Sequence, residues 1–394
     1  MKVNADAAGM DAGRLERIEE HLRTRYVGPG KIAGAQVAVA RKGSIAYYHA
    51  QGFADRERQV PVSEDTIWRI YSMTKPITGV ALMTLYERGH FQLTDPVSRF
   101  IPQWKDLKVR EGDQLVAPER PVQVRDLLTH TAGIGYGPDN ADLDLGNARL
   151  DRDLEAMADR LATTPLRFHP GRHWLYSFGI DVCGRLVEIM SGQRLDDYLR
   201  TEIFEPLGMV DTGFSVPAGD VGRFAACYAR NSRKELVLSD DPTTSSYLRQ
   251  PSFLSGGGGL VSTMGDYLRF TQMLAGGGEL DGRRILGRKT VELMATNHLA
   301  GGAQMADLAL ANGYGEVGFE GMGFGLSMAV NLGMAESGGI GSPGDYMWGG
   351  AASTTFWIDP VEELVVVFMT QLLPSGTFNF RGQLRSLVYP ALVD

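Results

Sequence analysis

Ser72-Met73-Thr74-Lys75-Pro76-Ile77-Thr78-Gly79-Val80-Ala81-Leu82 is the stretch whose reading decides the fold. A proline is tolerated only in the first turn of a helix, where its missing N–H has no acceptor, so Pro76 fixes a helix start within a few residues before it. Ile77, Ala81 and Leu85 then recur along one face, which predicts an amphipathic helix, and Gly89 is its stop. Ser72 therefore sits at the helix N-terminus with Lys75 three residues on. Residues at that spacing share a face, with Cβ atoms about 5–6 Å apart, so the lysine amine folds back toward the serine hydroxyl. Unpaired N–H groups of the first turn favour negative charge developing beside that serine. The motif alone is weak, because a capping serine followed by a solvated lysine reads the same way.

Outward from this helix the chain changes period twice. Upstream, Asp11 to Tyr26 reads as a helix capped by Asp11. Ala35–Ala40 and Ser44–Ala50 read as a hairpin across Arg41-Lys42-Gly43, and Thr66–Ile70 as a strand that delivers Ser72. From Leu93 to about Gly222 helical segments dominate: Val124–His130, Leu150–Ala162, Ile180–Met190 and Leu195–Phe204, separated by polar loops such as Thr131–Asn147. After Arg223 the β pattern returns at Phe324–Val330, Tyr346–Gly350, Thr354–Ile358 and Leu364–Thr370. Among these strands lie helices at Thr263–Ala275, capped by Thr263, at Arg288–Asn297 and at Asn379–Val388. The expected architecture is α/β (α+β): an antiparallel sheet flanked by helices, built from residues 1–92 and 223–394. An all-helical lobe, 93–222, is inserted between them, with the active site at the junction.

The bulk numbers narrow the function. The chain has 394 residues, 43% hydrophobic and 22% charged, with a formal net charge of −8. That is ordinary globular composition, and without a Lys/Arg run it argues against nucleic acid or an anionic membrane as partner. Cys183 and Cys227 both lie in apolar stretches, so no disulfide framework is expected. No basic-then-apolar leader and no run of 18 apolar residues is seen, and the expected location is the cytoplasm. Oligomeric state is not legible.

Three further stretches give the Ser-x-x-Lys motif company. They are Leu127-Leu128-Thr129-His130-Thr131-Ala132-Gly133, the segment Pro170 to Ser177 that presents Tyr176 just before a helix, and Tyr346-Met347-Trp348-Gly349-Gly350-Ala351. In this order and at these separations, the four motifs resemble the serine β-lactamase and penicillin-recognising superfamily. The resemblance is nearest to family VIII carboxylesterases, relatives of class C β-lactamases, and runs from Gly34 to the last helix. It implies a β-lactamase-like fold with Ser72 as nucleophile, Lys75 as its activating partner, Tyr176 as the tyrosine of the second motif, and the backbone N–H groups of Ser72 and Ala351 as oxyanion hole. A desolvated lysine or an acidified phenol supplies the base, and sequence does not choose between Lys75 and Tyr176. Trp348, Gly349, Gly350 and Tyr136 are expected to contact substrate, the two glycines by leaving its path clear, with Asp181 and Phe178 in support.

The departures point to substrate. Relatives that act on β-lactams usually carry Tyr-x-Asn and Lys-Thr-Gly, whereas this chain has Tyr176-Ser177-Phe178 and Trp348-Gly349-Gly350. A buried amide and an ammonium are both missing, which favours small neutral esters over charged β-lactams. Neither cofactor nor metal is expected: His169 and His173 are separated by Pro170-Gly171 and have no third ligand nearby. His130 reads as structural. Gly339-Ile340-Gly341-Ser342-Pro343-Gly344 reads as a turn before a strand, and no Gly-x-Ser-x-Gly elbow occurs.

Overall fold

A helix over Thr74–Glu87 lies at the centre of the computed structural model, which describes residues 1–136, 152–310 and 313–394. A 3₁₀ turn, Tyr71–Met73, leads into it, and Pro76 occupies its first turn. Gly89, at φ 78°, ends it, and the His90 N–H returns to the Leu85 carbonyl at 3.1 Å, the pairing expected of a left-handed glycine cap. The expected amphipathic stripe is corrected: every residue from Thr74 to Leu85 is buried. A helix covered all round has no polar face to show. It packs on helices Gly179–Ser191 and Leu195–Leu199, and Gly79 lets the side chain of Ser327 approach where a Cβ would collide.

The large sheet has eight strands: β1 (Gly34–Arg41), β2 (Ser44–Asp55), β3 (Val60–Pro61), β4 (Met322–Phe324), β5 (Ala329–Asn331), β6 (Tyr346–Gly349), β7 (Thr355–Asp359) and β8 (Leu364–Met369). Their spatial order is β4-β5-β6-β7-β8-β1-β2-β3, and every neighbouring pair is antiparallel. The N-terminal hairpin thus pairs with the last long strand, in the register Gln36 opposite Met369. Phe356 lies opposite Val367, so Phe356 and Phe368 project to opposite faces. Tyr267 of the Met264–Ala275 helix meets Phe356, ring centres 5.5 Å apart, and Phe380 of the C-terminal helix meets Phe368 at 5.0 Å. The C-terminal helix Phe380–Val388 packs with the N-terminal helices Ala12–Leu15 and Arg17–Leu22. Tyr267 also donates to the Met73 carbonyl at 2.9 Å and so ties the covering helix to the turn that carries Ser72.

Two strand expectations are revised. Phe324–Val330 is not one strand but a hairpin, β4 and β5, turning through Gly325 to Met328. Its period-two pattern fits either reading, and the decisive features are Ser327 at φ 73° and Gly325, whose missing Cβ makes room for the Met294 carbonyl. Ile67–Arg69 does deliver Ser72, but it pairs with Val261–Thr263 in a separate two-stranded sheet. There Ile67, Val216, Phe224, Tyr247 and Val261 form a second apolar cluster. Arg69, fully buried, lies 3.9 Å over the Phe224 ring and donates to Asp240 at 2.7 Å, Ser245 at 3.2 Å and the Ala225 carbonyl at 2.5 Å.

Helices break where sequence shows no break: the N-terminal one is interrupted at Glu16 and both it and Leu195–Leu199 end in a π turn. Between 93 and 222 the described residues supply helices Val124–Leu128, Leu154–Ala162, Gly179–Ser191 and Leu195–Leu199 and one short hairpin, but no strand of the large sheet. The loop expected over Thr131–Asn147 and the helix start expected at Leu150 lie partly outside the described residues. Cys183 and Cys227 are both buried and unpaired, and no described helix is long and apolar enough to cross a membrane.

Arg69 gives a stability prediction. Arg69→Leu removes the cation from the partly exposed Asp240 and the donor from the buried Ala225 carbonyl. Removal of one partner from such a network costs on the order of 2–4 kcal/mol. Urea unfolding should show a lowered midpoint with an unchanged slope. A loss below about 1 kcal/mol would mean that the small sheet does not depend on this guanidinium.

Candidate active site

Ser72, Lys75 and Tyr176 converge. Lys75 is almost completely buried, and its Nζ lies 3.3 Å from Ser72 Oγ, 3.3 Å from the Tyr136 hydroxyl and 2.7 Å from the Gly257 carbonyl oxygen. It also stands 4.4 Å from the centre of the Tyr176 ring. Burial pulls the lysine down to about 8, against the opposing charges of Asp181 and Glu316. Tyr176 moves the other way. Burial and the Glu316 carboxylate push its phenol well above 10, while hydrogen bonds with Ser72 and Trp348 pull back. Near neutrality the lysine is therefore the member of the pair that gives up a proton more readily, and the tyrosine keeps its own.

Each group is held by a different part of the chain. Gly257, in the run Gly256-Gly257-Gly258-Gly259, accepts from Lys75 with its carbonyl and donates its N–H to Asp181 at 3.0 Å. Asp181 is buried near the start of the Gly179–Ser191 helix and accepts the Ser255 hydroxyl at 2.5 Å. Asp181 thus supports Lys75 through one residue, Gly257, and through its charge. Tyr136 hydrogen-bonds the lysine, and Phe178 packs its ring 4.4 Å from that of Tyr136, at the position where β-lactam-active relatives usually have an amide.

The third motif sits differently from expectation. Trp348 is 0% exposed, so it does not line the cleft, and its indole N–H donates to the Tyr176 hydroxyl at 3.3 Å. The ring is wedged against Tyr176 and Phe324, with centres 5.4 and 5.3 Å away. The glycines make room for neighbouring protein groups. A Cβ on Gly349 would strike the Arg381 guanidinium, and one on Gly350 would strike the Ile70 carbonyl and Thr354 Oγ1. Gly350 lets the end of β6 close on the turn that holds Ser72, which brings the half-buried Ala351 to that turn. Its N–H has no backbone acceptor among the described residues, and the Ser72 N–H belongs to a first helical turn, where donors lack helical acceptors. Two backbone donors near this turn are thus without a backbone acceptor among the described residues.

His130 contacts neither Ser72 nor Lys75 through a hydrogen bond. Its Nδ1 meets Ser177 Oγ at 3.0 Å and its ring lies 4.9 Å from Tyr176, while burial keeps it neutral by pulling it well below 6.5. His169 binds Glu111 at 2.7 Å and accepts the Glu119 N–H at 3.0 Å, which occupies both ring nitrogens. Among the described residues no group of three His, Cys, Asp or Glu side chains is placed to hold a metal.

Sequence reasoning missed Gly257, Tyr314 and Glu316. The four-glycine run was a usable signal for the first, since so many adjacent glycines mark a close backbone approach. Nothing local marked the other two.

The close approach at Gly350 can be tested. Gly350→Ala should lower the rate at which an organophosphonate labels Ser72 by at least about tenfold, since a 1 Å displacement in such a site is worth up to about 10². Mass spectrometry of the labelled protein reads it, and an unchanged rate would mean that the β6 terminus does not set the geometry at Ser72.

A profile of the Beta-lactamase family matches residues 15–388. Esterase EstB of Burkholderia gladioli is 31% identical over 398 residues, 94% of this chain and 93% of that one. Among solved structures, EstCE1, a hydrolase with promiscuous acyltransferase activity, superposes with a TM-score of 0.79 at 27% identity, over 97% of this chain and 99% of that one. Simvastatin synthase LovD from Aspergillus terreus gives 0.79 at 25% identity, over 95% and 97%. With a family match over nearly its full length, the chain belongs to the beta-lactamase family, as a relative of the family VIII esterases within it.

Proposed function

We propose that this protein is a serine carboxylesterase for small, neutral, short-chain acyl esters, acting through an acyl-enzyme on Ser72. The observation that carries the reading is the buried lysine 3.3 Å from the Ser72 hydroxyl, lowered to about 8 beside a tyrosine held in its protonated form. EstB and EstCE1 support ester hydrolysis on this fold. EstCE1 and LovD support a second reading, in which an alcohol replaces water as acceptor.

In the proposed cycle neutral Lys75 takes the proton of Ser72 as Oγ attacks the ester carbonyl, and the oxyanion is met by the N–H groups of Ser72 and Ala351. As the C–O bond breaks, the departing alkoxide takes the Tyr176 proton, which the Lys75 ammonium replaces through the same hydrogen-bonded cluster. Trp348 occupies one lone pair of the Tyr176 oxygen, so the phenolic proton points elsewhere. Water then attacks the acyl-Ser72 carbonyl and gives its proton back along that route, releasing the acid and regenerating Ser72. Phe178 and Trp348 supply neither amide nor ammonium, which supports a preference for neutral esters.

Ser72→Ala and Lys75→Ala should each lose roughly 10³-fold or more in kcat on p-nitrophenyl acetate or butyrate, with unchanged melting temperature for the serine variant. Tyr176→Phe should lose activity without loss of fold. For the parent, kcat/KM should rise with pH through about 8, because the reactive lysine is the neutral one and its fraction grows above that value. A panel of p-nitrophenyl esters with a chromogenic cephalosporin should show ester turnover dominant. Near-parental turnover by Ser72→Ala would end the reading, and failure of the parent to react with an organophosphonate would favour a non-catalytic binder.

A further inference from the structure

A carboxylate that no motif announces stands behind the cluster. Glu316 is 1% exposed and is held from three sides: the Tyr314 hydroxyl donates to it at 2.7 Å, the Ser375 hydroxyl at 2.6 Å, and Arg381 Nη2 lies at 3.5 Å. Tyr314 belongs to the same stretch as Glu316, Ser375 and Arg381 come from the C-terminal part of the chain, and Arg381 also donates through Nε to Thr355 Oγ1 of β7 at 3.1 Å. Tyr314, 48% exposed, lays its ring 6.0 Å from that of Tyr176, so the braced carboxylate and the cleft share a wall.

We infer that Glu316 is a positioning residue, a buried charge braced by Tyr314, Ser375 and Arg381 that sets the protonation balance of Lys75 and Tyr176 and hence the pH at which Ser72 becomes nucleophilic. The inference rests on the serine-esterase reading of the same site.

The electrostatics agree in sign. The Glu316 carboxylate favours the charged form of Lys75 and the neutral form of Tyr176, raising both. Lys75 also faces Asp181, which acts the same way, and His130, Tyr136 and Tyr176. Tyr176 faces Tyr314, Lys75 and Arg381 as well. Asp181 already holds Lys75 through Gly257, so a second acid is not required to place the amine. What Glu316 adds is charge that reaches both proton carriers at once, partly offset by the Arg381 cation. The two ends of this ion pair therefore push the cluster in opposite directions.

The test is the pH dependence of Ser72 labelling by an organophosphonate, followed by mass spectrometry, which requires no knowledge of the natural ester. Glu316→Gln removes the carboxylate charge and leaves Arg381 unopposed, so the rising limb of the rate should move to lower pH by roughly half a unit or more, since removing one charge at reduced dielectric shifts its neighbours on at least that scale. Glu316→Asp, which keeps the charge, should stay near the parent. Arg381→Gln leaves Glu316 less neutralised and should move the limb to higher pH, which keeps the test available if Glu316→Gln does not fold. Opposite shifts support the inference. A uniform loss of rate with an unmoved limb, or shifts in the same direction for both variants, overturns it and leaves Glu316 a structural brace. Absence of Ser72 labelling in the parent at every pH would instead overturn the serine-esterase reading itself.

Discussion

The structure depends on keeping one ammonium dry. Lys75 gives up hydration and receives a single peptide carbonyl, from Gly257, and two hydroxyls in exchange. That exchange is poor for a cation and workable for an amine, which is why the group sits where its two forms are close in energy. Nearly every unusual feature nearby serves this arrangement: a helix covered on all sides, four glycines in a row that bring backbone against the amine, and two buried carboxylates whose charge keeps the lysine from falling further.

The tyrosine is held by complementary means. Trp348 caps one side of its oxygen, and Trp174, His130, Tyr136 and Tyr314 surround its ring. An aromatic box of this kind excludes water and fixes orientation together, since closely packed flat rings, edge-on and stacked, leave little room for rotation. The residue that replaces the lysine of β-lactam-active relatives is thus a part of the scaffold beneath Tyr176, and the argument from Trp348 to substrate runs through the tyrosine it anchors.

Much of the fold was legible because it rests on local rules. Pro76 and Gly89 bound the central helix, Asp11 and Thr263 cap their helices as expected, with N–H donors at 3.0 and 3.2 Å, and the buried strand Leu364–Met369 is a plain run of apolar residues. The hairpin at Gly325–Met328 was hidden because alternation continues through a turn when both arms face the same way. The π turns after Leu22 and Leu199 were hidden because their residues favour any helix equally. At the site, the order of motifs brought out Ser72, Lys75 and Tyr176. Burial is a property of the whole fold, so the place of Trp348 inside the wall and the presence of Glu316 behind it had no local signature. Gly349 and Gly350 were noticed for a sound reason, close approach, but sequence does not say what approaches.

The pairing of β1 with β8 has a consequence for how the molecule is made. Gly34 and Thr370 are joined by a hydrogen bond of 2.8 Å across 336 residues of chain, and the covering helix that ties down Met73 rests on this same central part of the sheet. Contacts of such sequence separation close late, after the entropy of a very long loop has been met. Synthesised from its N-terminus, the chain carries Ser72 and Lys75 out early, with an apolar helix whose packing partners, Gly179–Ser191 and Leu195–Leu199, emerge well after it. During that interval the helix is a hydrophobic segment in search of cover, a natural client for holding chaperones, and truncation near the C-terminus removes the central strand pair of the sheet on which a site more than 290 residues upstream is built.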